Sequence, residues 1–306
     1  MNRFRNRVIC CLSVVLLAAS CATNAPEKKE DLVWPLPPEQ PRVRFVRAYC
    51  CLDDFGKTGR EAWLDTIFGT SQSAGMSKPY AITTDKEGKV YVSDTGLRTV
   101  WVFDEKSKKV SFVGQGALRT PTGLAVDAKG KLFVSDSSAQ KVYAFDKDGK
   151  MVLAIGKKDE LGNPAGLAID TATNRLYVAN AKLHQIKVYD TNDGQFLFDI
   201  GNRGSDQGQL NFPTNLFIRS GKLYVTDTGN FRVQLLDLDG KYLKSFGKIG
   251  DGFGNVARPK GVAADSEGHV YVTDAAFDNF QIFDDQGNLL LFVGSRGSGP
   301  GSFAIP

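Results

Sequence analysis

The chain has 306 residues, a mass of 33.3 kDa and a formal net charge of +4, with 42% hydrophobic and 24% charged residues. This composition is typical of a globular protein and differs from that of a disordered or fibrous chain. No apolar run reaches the ~18–20 residues of a membrane-spanning helix, which excludes an integral helical membrane protein. With His184 and His269 as its only histidines, the chain cannot build a histidine-rich metal site.

The N-terminal residues predict export. Arg3, Arg5 and Arg7 precede an apolar stretch, Val8 to Ala19, whose length is that of a signal-peptide core rather than a membrane span. Small residues then precede Cys21, which resembles a bacterial lipobox, where the cysteine is acylated. The alternative is an ordinary secretory signal that is cut nearby. By the lipobox resemblance we expect a lipid-anchored protein of the cell envelope, at the outer membrane and facing the periplasm.

Charge and cysteine use agree with export. Removing the signal peptide takes away three arginines and no acid, so that 35 basic residues face 34 acidic ones. A nearly neutral protein lacks the basic excess of a nucleic-acid binder, so we expect no nucleic-acid partner. Beyond Cys21 only Cys50 and Cys51 remain. Because adjacent Cα atoms lie closer than usual disulfide partners, the pair is either a vicinal disulfide or two small residues facing opposite ways.

Four segments divide the chain. Residues 1–20 are the expected lipoprotein signal peptide, and the proline-rich residues 21–41 predict an extended tether. Within residues 42–77, polar and apolar residues alternate from Arg42 to Tyr49, which predicts a strand with one solvent-exposed face. Glu61 to Phe68 carries apolar residues at helical spacing, which predicts a short amphipathic helix. Residues 78–306 contain a repeat.

A proline opens each repeat unit. These prolines are Pro79, Pro121, Pro164, Pro213, Pro259 and the last residue, Pro306, at spacings of 42, 43, 49, 46 and 47 residues. Each complete unit has four short apolar strands separated by turn residues, and its second strand ends in an acid or amide. These end residues are Asp94, Asp136, Asn180, Asp227 and Asp274. We expect the four aspartates to accept hydrogen bonds from turn N–H groups.

Four strands per unit, repeated in tandem, predict the blades of an all-β propeller. One unit, Asp227 to Gln234, closely resembles the NHL-repeat signature, and the other units are degenerate versions of it. With the lipobox, residues 78–306 resemble the bacterial NHL-repeat lipoproteins, which implies a six-bladed propeller with four-stranded blades. Five units are complete and a sixth stops at Pro306.

An open arc of five blades would expose the flanks of its first and last blades. Leaving ~1,000 Å² of apolar surface unburied would lose roughly 25 kcal/mol of hydrophobic stabilisation. The pattern therefore favours a chain that lacks most of a sixth blade. The alternative is that residues 42–77 close the ring in another way.

Candidate binding residues are those that break the repeat. The residues after each opening proline should ring one mouth of the axial channel, where Tyr80, Asn215 and Lys260 are the aromatic or polar exceptions. Arg219 stands where the other units have aspartate. The alternative is structural: Lys260 is then simply solvated, and Asn215 bonds a neighbouring backbone group. No catalytic or metal-binding residue is predicted.

Two functions are consistent with these features. Peptidyl-hydroxyglycine lyase and streptogramin-inactivating lyases have similar propellers and depend on histidine, which the chain lacks at equivalent positions. We therefore expect a non-catalytic binding or scaffolding module for an envelope protein, peptide or glycan. The alternative is a lactonase- or lyase-like hydrolase with calcium on the propeller axis. Calcium is the one cofactor left open, because its oxygen ligands are plentiful here.

Overall fold

The structure, a computed structural model, describes residues 32–56, 75–250, 252 and 254–304. Residues 32–306 form one compact unit. Cys21, the segment Glu61 to Phe68 and Pro306 lie outside the described residues. Within the described ranges, no helix is both long and apolar enough to cross a bilayer.

Five four-stranded antiparallel sheets, one per repeat unit, make up residues 79–293. Blade 1 contains β3 to β6, which are Pro79–Thr84, Val90–Asp94, Thr99–Asp104 and Lys109–Val113. Blade 2 contains β7 to β10, which are Pro121–Val126, Leu132–Asp136, Lys141–Phe145 and Met151–Ile155. Blade 3 contains β11 to β14, which are Pro164–Asp170, Arg175–Asn180, Gln185–Asp190 and Phe196–Ile200.

Blade 4 contains β15 to β18, which are Pro213–Arg219, Lys222–Asp227, Arg232–Asp237 and Tyr242–Phe246. Blade 5 contains β19 to β22, which are Pro259–Ala264, Val270–Asp274, Asn279–Phe283 and Leu289–Val293. Short 3₁₀ turns at Ala181–Leu183 and Thr228–Asn230 join the second and third strands of blades 3 and 4. Each strand pairs with the next along the chain, which confirms the predicted all-β propeller of four-stranded blades.

Local sequence explains the sheet pattern. Each opening proline, which has no N–H to donate, stands at the first residue of the first strand, the place where a strand tolerates proline. The first hairpin turns on an aspartate: in blade 2, Asp127 Oδ1 accepts the N–H groups of Lys129 and Lys131, both at 2.8 Å. Gly130 supplies the positive φ, +80°, that this turn requires.

Successive blades pack through their first strands and through apolar clusters. β3, β7, β11, β15 and β19 contact one another in this order, so these strands surround the axis. Between blades 3 and 4, for example, Tyr177 and Ile186 are buried with Val225 and Leu236. Comparable clusters fill the other three seams.

The seams are tightest near the axis, where small residues let neighbouring backbones touch. A Cβ added to Gly166 would lie 2.5 Å from the Cα atom of Asn215, and one added to Gly123 would lie 2.2 Å from the carbonyl oxygen of Ala165. The Ser93 hydroxyl crosses the first seam and donates to the carbonyl of Thr122 at 2.7 Å.

The N-terminal residues differ from the predicted tether and strand. Val33–Trp34 (β1) pairs with Val43–Arg44 (β2), so part of residues 21–41 belongs to a small hairpin. The strand predicted over 42–49 is only two residues long, because β1 is its only partner and has two residues. A 3₁₀ turn follows at Leu52–Phe55.

This segment contacts both ends of the blade series. Near blade 5, the Arg42 guanidinium reaches the Leu290 carbonyl at 3.5 Å, and the Trp34 ring covers Gly301. On blade 1, the Tyr49 ring lies 4.9 Å from the Phe103 ring. Among the described residues, the segment therefore contacts both end blades, while Ile82 of β3 stays exposed.

Candidate partner-binding face at the axial mouth

One face of the propeller collects the start of every first strand and the end of every second strand. Pro79 is paired with Asp94, and the same pairing recurs in each blade. Loops between second and third strands, and the links between blades, therefore share this face. We call its centre, around the opening prolines, the axial mouth.

Buried aspartates fix the loops of this face. Asp94 accepts backbone N–H groups from Ser77, Lys78, Gly96 and Leu97 at 2.7–3.0 Å. Burial opposes ionisation of Asp94, but these donors outweigh it and hold its pKa below the usual value. Asp136, Asp227 and Asp274 bind the corresponding loops in their own blades. These contacts confirm the predicted structural role of the four aspartates.

Blade 4 adds a side-chain network that follows its NHL signature. Asp227 Oδ2 accepts from Asn230, Arg232 and Gln234 at 2.8–3.1 Å. Arg232 and Gln234 also donate to the carbonyl of Gln209 in the preceding link. The signature therefore stabilises the loop that leads to the mouth, and its polar groups are occupied by the fold.

Tyr80 is the second residue of β3 and lies at the mouth. The side chain is 59% exposed, yet burial by surrounding protein raises the pKa of its hydroxyl. The corresponding residue of blade 2, Thr122, is buried and bonds across to the Pro164 carbonyl at 3.1 Å, so only Tyr80 is free to project.

Lys260 occupies the same position in blade 5. It is partly buried, and burial together with the charge of Arg258 lowers the pKa of its ammonium group. Its own carbonyl accepts a long hydrogen bond from Thr214, which ties the strand to blade 4. The cationic end has no acidic partner among the described side chains.

Asn215 lies one residue further along its strand, at a bulge between Pro213 and the regular ladder. Its main chain packs against Gly166, and its side-chain amide makes no hydrogen bond within the described part of the chain. Beside it, the buried Thr226 hydroxyl also lacks a partner there, whereas the equivalent Ser93 and Ser135 hydroxyls bridge to the next blade. Asn215 therefore leaves polar groups available near the axis.

Arg219 is not part of this group. It ends β15 at the opposite face, where it is exposed next to the turn to Lys222. At its position Asp85, Asp127 and Asp265 hold turn N–H groups. The structure thus brings Tyr80, Asn215 and Lys260 to one face and separates Arg219 from them.

Three further mouth residues escaped the sequence prediction. Lys78, Phe212 and Arg258 each immediately precede an opening proline. Comparing the residues before the prolines, as well as those after them, would have identified all three. Phe212 is 50% exposed and has a φ of +50°, an uncommon conformation for a bulky residue. His184 accepts the Phe212 N–H at 3.2 Å, and the two rings meet edge to face.

The two histidines lie on opposite faces. His184 is buried beside Phe212, whereas His269 pairs with Asp265 at 2.9 Å in a turn of the other face. The one close group of three potential metal ligands among the described residues is Cys50, Cys51 and Asp54. The two sulfurs are bonded at 2.00 Å, so they offer no thiolates, and calcium prefers oxygen ligands.

The fold is a β-propeller of four-stranded blades, with five blades among the described residues rather than six. A family model described as a 6-bladed beta-propeller matches residues 123–200, and the NHL repeat matches residues 257–283. The protein brain tumor of Drosophila melanogaster is 29% identical over 108 residues, 34% of this chain and 10% of that protein. The chain thus spans only a small part of the curated relatives that it matches.

Solved structures share the fold at low identity. A streptogramin B lyase superposes with a TM-score of 0.56 and 19% identity, covering 70% of this chain and 68% of the lyase. A chain of the nidogen/laminin complex gives a TM-score of 0.58 and 17% identity, covering 72% of this chain and 84% of that chain. At such identities the likeness shows the architecture alone.

Proposed function

We propose that this protein is a lipid-anchored propeller of the cell envelope that acts as a non-catalytic binding or scaffolding module, with a protein as its partner. The observation that carries the proposal is the composition of the axial mouth. Tyr80 and Phe212 are half or more exposed there, on a face whose Lys78, Arg258 and Lys260 make no ion pair among the described residues. Aromatic and arginine side chains are enriched at protein interfaces.

The comparisons support a protein partner in a limited way. One similar propeller was solved as part of the nidogen/laminin complex, in which a protein binds a protein. Another is a lyase, but in this chain His184 and His269 lie on opposite faces and cannot act together. Within the described residues, no grouping of side chains favours a calcium-dependent hydrolase over a binding module.

Anchoring is a separate part of the proposal. Its support is the sequence alone: arginines, an apolar stretch and small residues before Cys21. Labelling cells with an alkyne fatty acid tests it. The wild-type protein should take up the label and partition with membranes, and Cys21→Ala should lose both properties. A labelled Cys21→Ala protein would contradict this part of the proposal.

The binding role is tested by cross-linking affinity purification from detergent-solubilised envelopes, read by mass spectrometry. The bait is the full chain, and the control is the variant Tyr80→Ala/Phe212→Ala, which removes the two exposed mouth aromatics. We expect at least one envelope protein that the wild type recovers and the variant does not. Recovery that is equal for both baits would contradict binding through the mouth.

A further inference from the structure

The face around the axial mouth is strongly cationic, although the formal net charge of the whole chain is only +4. Among the described residues, its loops, its links between blades and the starts of the first strands carry eleven basic side chains: Lys78, Arg98, Arg119, Lys157, Lys158, Lys182, Arg203, Lys248, Arg258, Lys260 and Arg296. The partly or fully exposed acidic residues of the same face are Asp159, Glu160, Asp206 and Asp278. On the opposite face, acidic side chains outnumber basic ones.

The buried aspartates of the mouth face do not cancel this charge. Asp94, Asp136 and Asp274 lie beneath the loops, and each binds several backbone N–H groups. In blade 4, Asp227 is paired with Arg232 at 2.9 Å. These buried aspartates are therefore bound by the fold and do not offset the charge of the exposed cations.

Three cations stand closest to the axis. Lys78 precedes the first strand of blade 1, and Arg258 and Lys260 flank Pro259 at the start of blade 5. None of the three makes an ion pair within the described part of the chain. Lys260 is partly buried beside Arg258, and its lowered pKa reflects burial and this like charge. A bound anion would relieve both effects.

The cations and rings of the mouth are spread over several blades, which favours an extended ligand. Two cavities of about 340 and 310 Å³ lie in blade 5 and its flanking links, and neither is lined by Lys78, Tyr80 or Lys260. The mouth instead offers cations on blades 1 and 5 and the exposed rings of Tyr80 and Phe212 on blades 1 and 4. Groups spread over several blades suit a chain that crosses the mouth.

We propose that the axial mouth binds a carboxylate-rich segment of a protein partner, with Lys78, Arg258 and Lys260 as its main cationic contacts. This inference rests on the proposed binding function and specifies the chemistry of the partner. Charge complementarity selects acidic segments and speeds their association, and it makes binding weaken with salt. The expected export favours a protein partner over a nucleic acid.

The test measures fluorescence anisotropy of a labelled twelve-residue peptide of alternating glutamate and serine, at 25 and 150 mM NaCl. The matched control peptide has glutamine in place of glutamate. The test variant is Arg258→Met/Lys260→Met, and the control variant, Lys106→Met/Lys150→Met, removes two exposed lysines from the opposite face. Because Lys260 is partly buried, Arg258→Met alone serves as a second variant, and melting curves verify that each protein is folded.

We expect the glutamate peptide to bind the wild type and the control variant within twofold of each other, and the test variant at least tenfold more weakly. The glutamine peptide should not bind, and higher salt should weaken the glutamate complex. Equal loss in both double variants, or no binding of the glutamate peptide at 25 mM NaCl, would overturn the proposal.

A nucleic-acid ligand is the remaining outcome to exclude. A twelve-nucleotide single-stranded RNA that binds more tightly than the peptide, and loses affinity with Arg258→Met, would also overturn the proposal. If envelope purification recovers a partner through the mouth aromatics while the glutamate peptide fails, the binding function stands and only its acidic specificity falls.

Discussion

The first strands of blades 2 to 5 each face a preceding blade, whereas the first strand of blade 1 has an open flank. Equivalent side chains on these strands are buried to very different extents. Leu124, Leu167, Leu216 and Val262 each pack against the preceding blade and are 3–7% exposed. Ile82, at the equivalent position of blade 1, is 68% exposed. The strands thus have a common sequence pattern, and the presence of a preceding blade decides whether their apolar side chains are buried.

The outer part of that flank is covered differently. Tyr49 and Phe55 of the N-terminal segment, with Met76, pack against Trp101 and Phe103. Arg47 and the Tyr49 hydroxyl also contact Glu105, and hydrogen bonds from Lys108 and Tyr49 lower the pKa of this carboxyl to about 2. A short irregular segment therefore covers the outer strands of blade 1 but leaves β3 uncovered.

Truncating one leucine in a seam should have the largest effect. Leu167→Ala should lower the free energy of unfolding by about 3 kcal/mol, because it removes buried contacts and leaves a cavity. Ile82→Ala, on the open flank, should change it by less than about 0.5 kcal/mol. Urea denaturation measures both, and a loss of similar size in the two variants would mean that Ile82 is covered in solution.

Glycine substitutions probe the backbone contacts near the axis. Gly166→Ala places a Cβ against the backbone of Asn215 and should cost about 2–3 kcal/mol. Gly261→Ala is the matched control, since the nearest atom to its Cβ is the Thr273 hydroxyl oxygen at 3.0 Å and not a neighbouring blade. We expect it to cost less than about 1 kcal/mol. Equal shifts in melting temperature for the two variants would contradict the claim that the backbone contact between blades 3 and 4 makes Gly166 the more sensitive position.

The N-terminal segment should have a smaller effect. Tyr49→Ala removes an aromatic ring partly buried against Phe103, and we expect a loss of about 1.5–2 kcal/mol in thermal or urea unfolding. Val46→Ala, at a side chain that is 84% exposed, serves as the control and should be neutral. Neutral behaviour of both variants would show that the segment is not docked on blade 1.

The smallest predicted effect depends on pH. Asp94→Asn should cost about 1 kcal/mol at pH 7, because the neutral amide accepts fewer and weaker hydrogen bonds from the loop. The folded-state pKa of Asp94 is lowered, so its charge stabilises the protein above the unfolded pKa of about 3.9. That stability is lost as the pH falls through the folded pKa. Urea midpoints should therefore differ at pH 7 and draw together as the pH falls from about 4 through the folded pKa, and a difference that stays constant over this fall would contradict the assignment.

The sequence predicted the blades well because the determining signals are local. Opening prolines, turn aspartates such as Asp127 and strand-end aspartates such as Asp94 act within one unit, so that repetition alone reveals the fold. Tyr80 and Lys260 were also predictable, since they interrupt a regular register at the axis. Lys78 and Phe212 stand one residue outside the strands and were overlooked.

Other features depend on distant residues and carry no sequence signal. The contact of Tyr49 with Phe103, and that of Trp34 with Gly301, joins parts of the chain that no periodicity relates. The cationic character of the mouth face is likewise hidden in the sequence, because basic and acidic residues are mixed along the chain and separate only when alternate loops share a face. Arg219 shows the reverse case: it breaks the repeat but stands on the other face.

The claim that the partner binds at the axial mouth is tested most directly by cross-linking the purified complex with an amine-reactive reagent. Both faces of the propeller carry lysines with which the reagent can react. Lys78, Lys182 and Lys260 report on the axial mouth, and Lys106, Lys150 and Lys222 report on the opposite face. Binding across the mouth predicts that cross-links to the partner come from the first set. Partner cross-links confined to the second set would contradict the assignment of the mouth as the binding face.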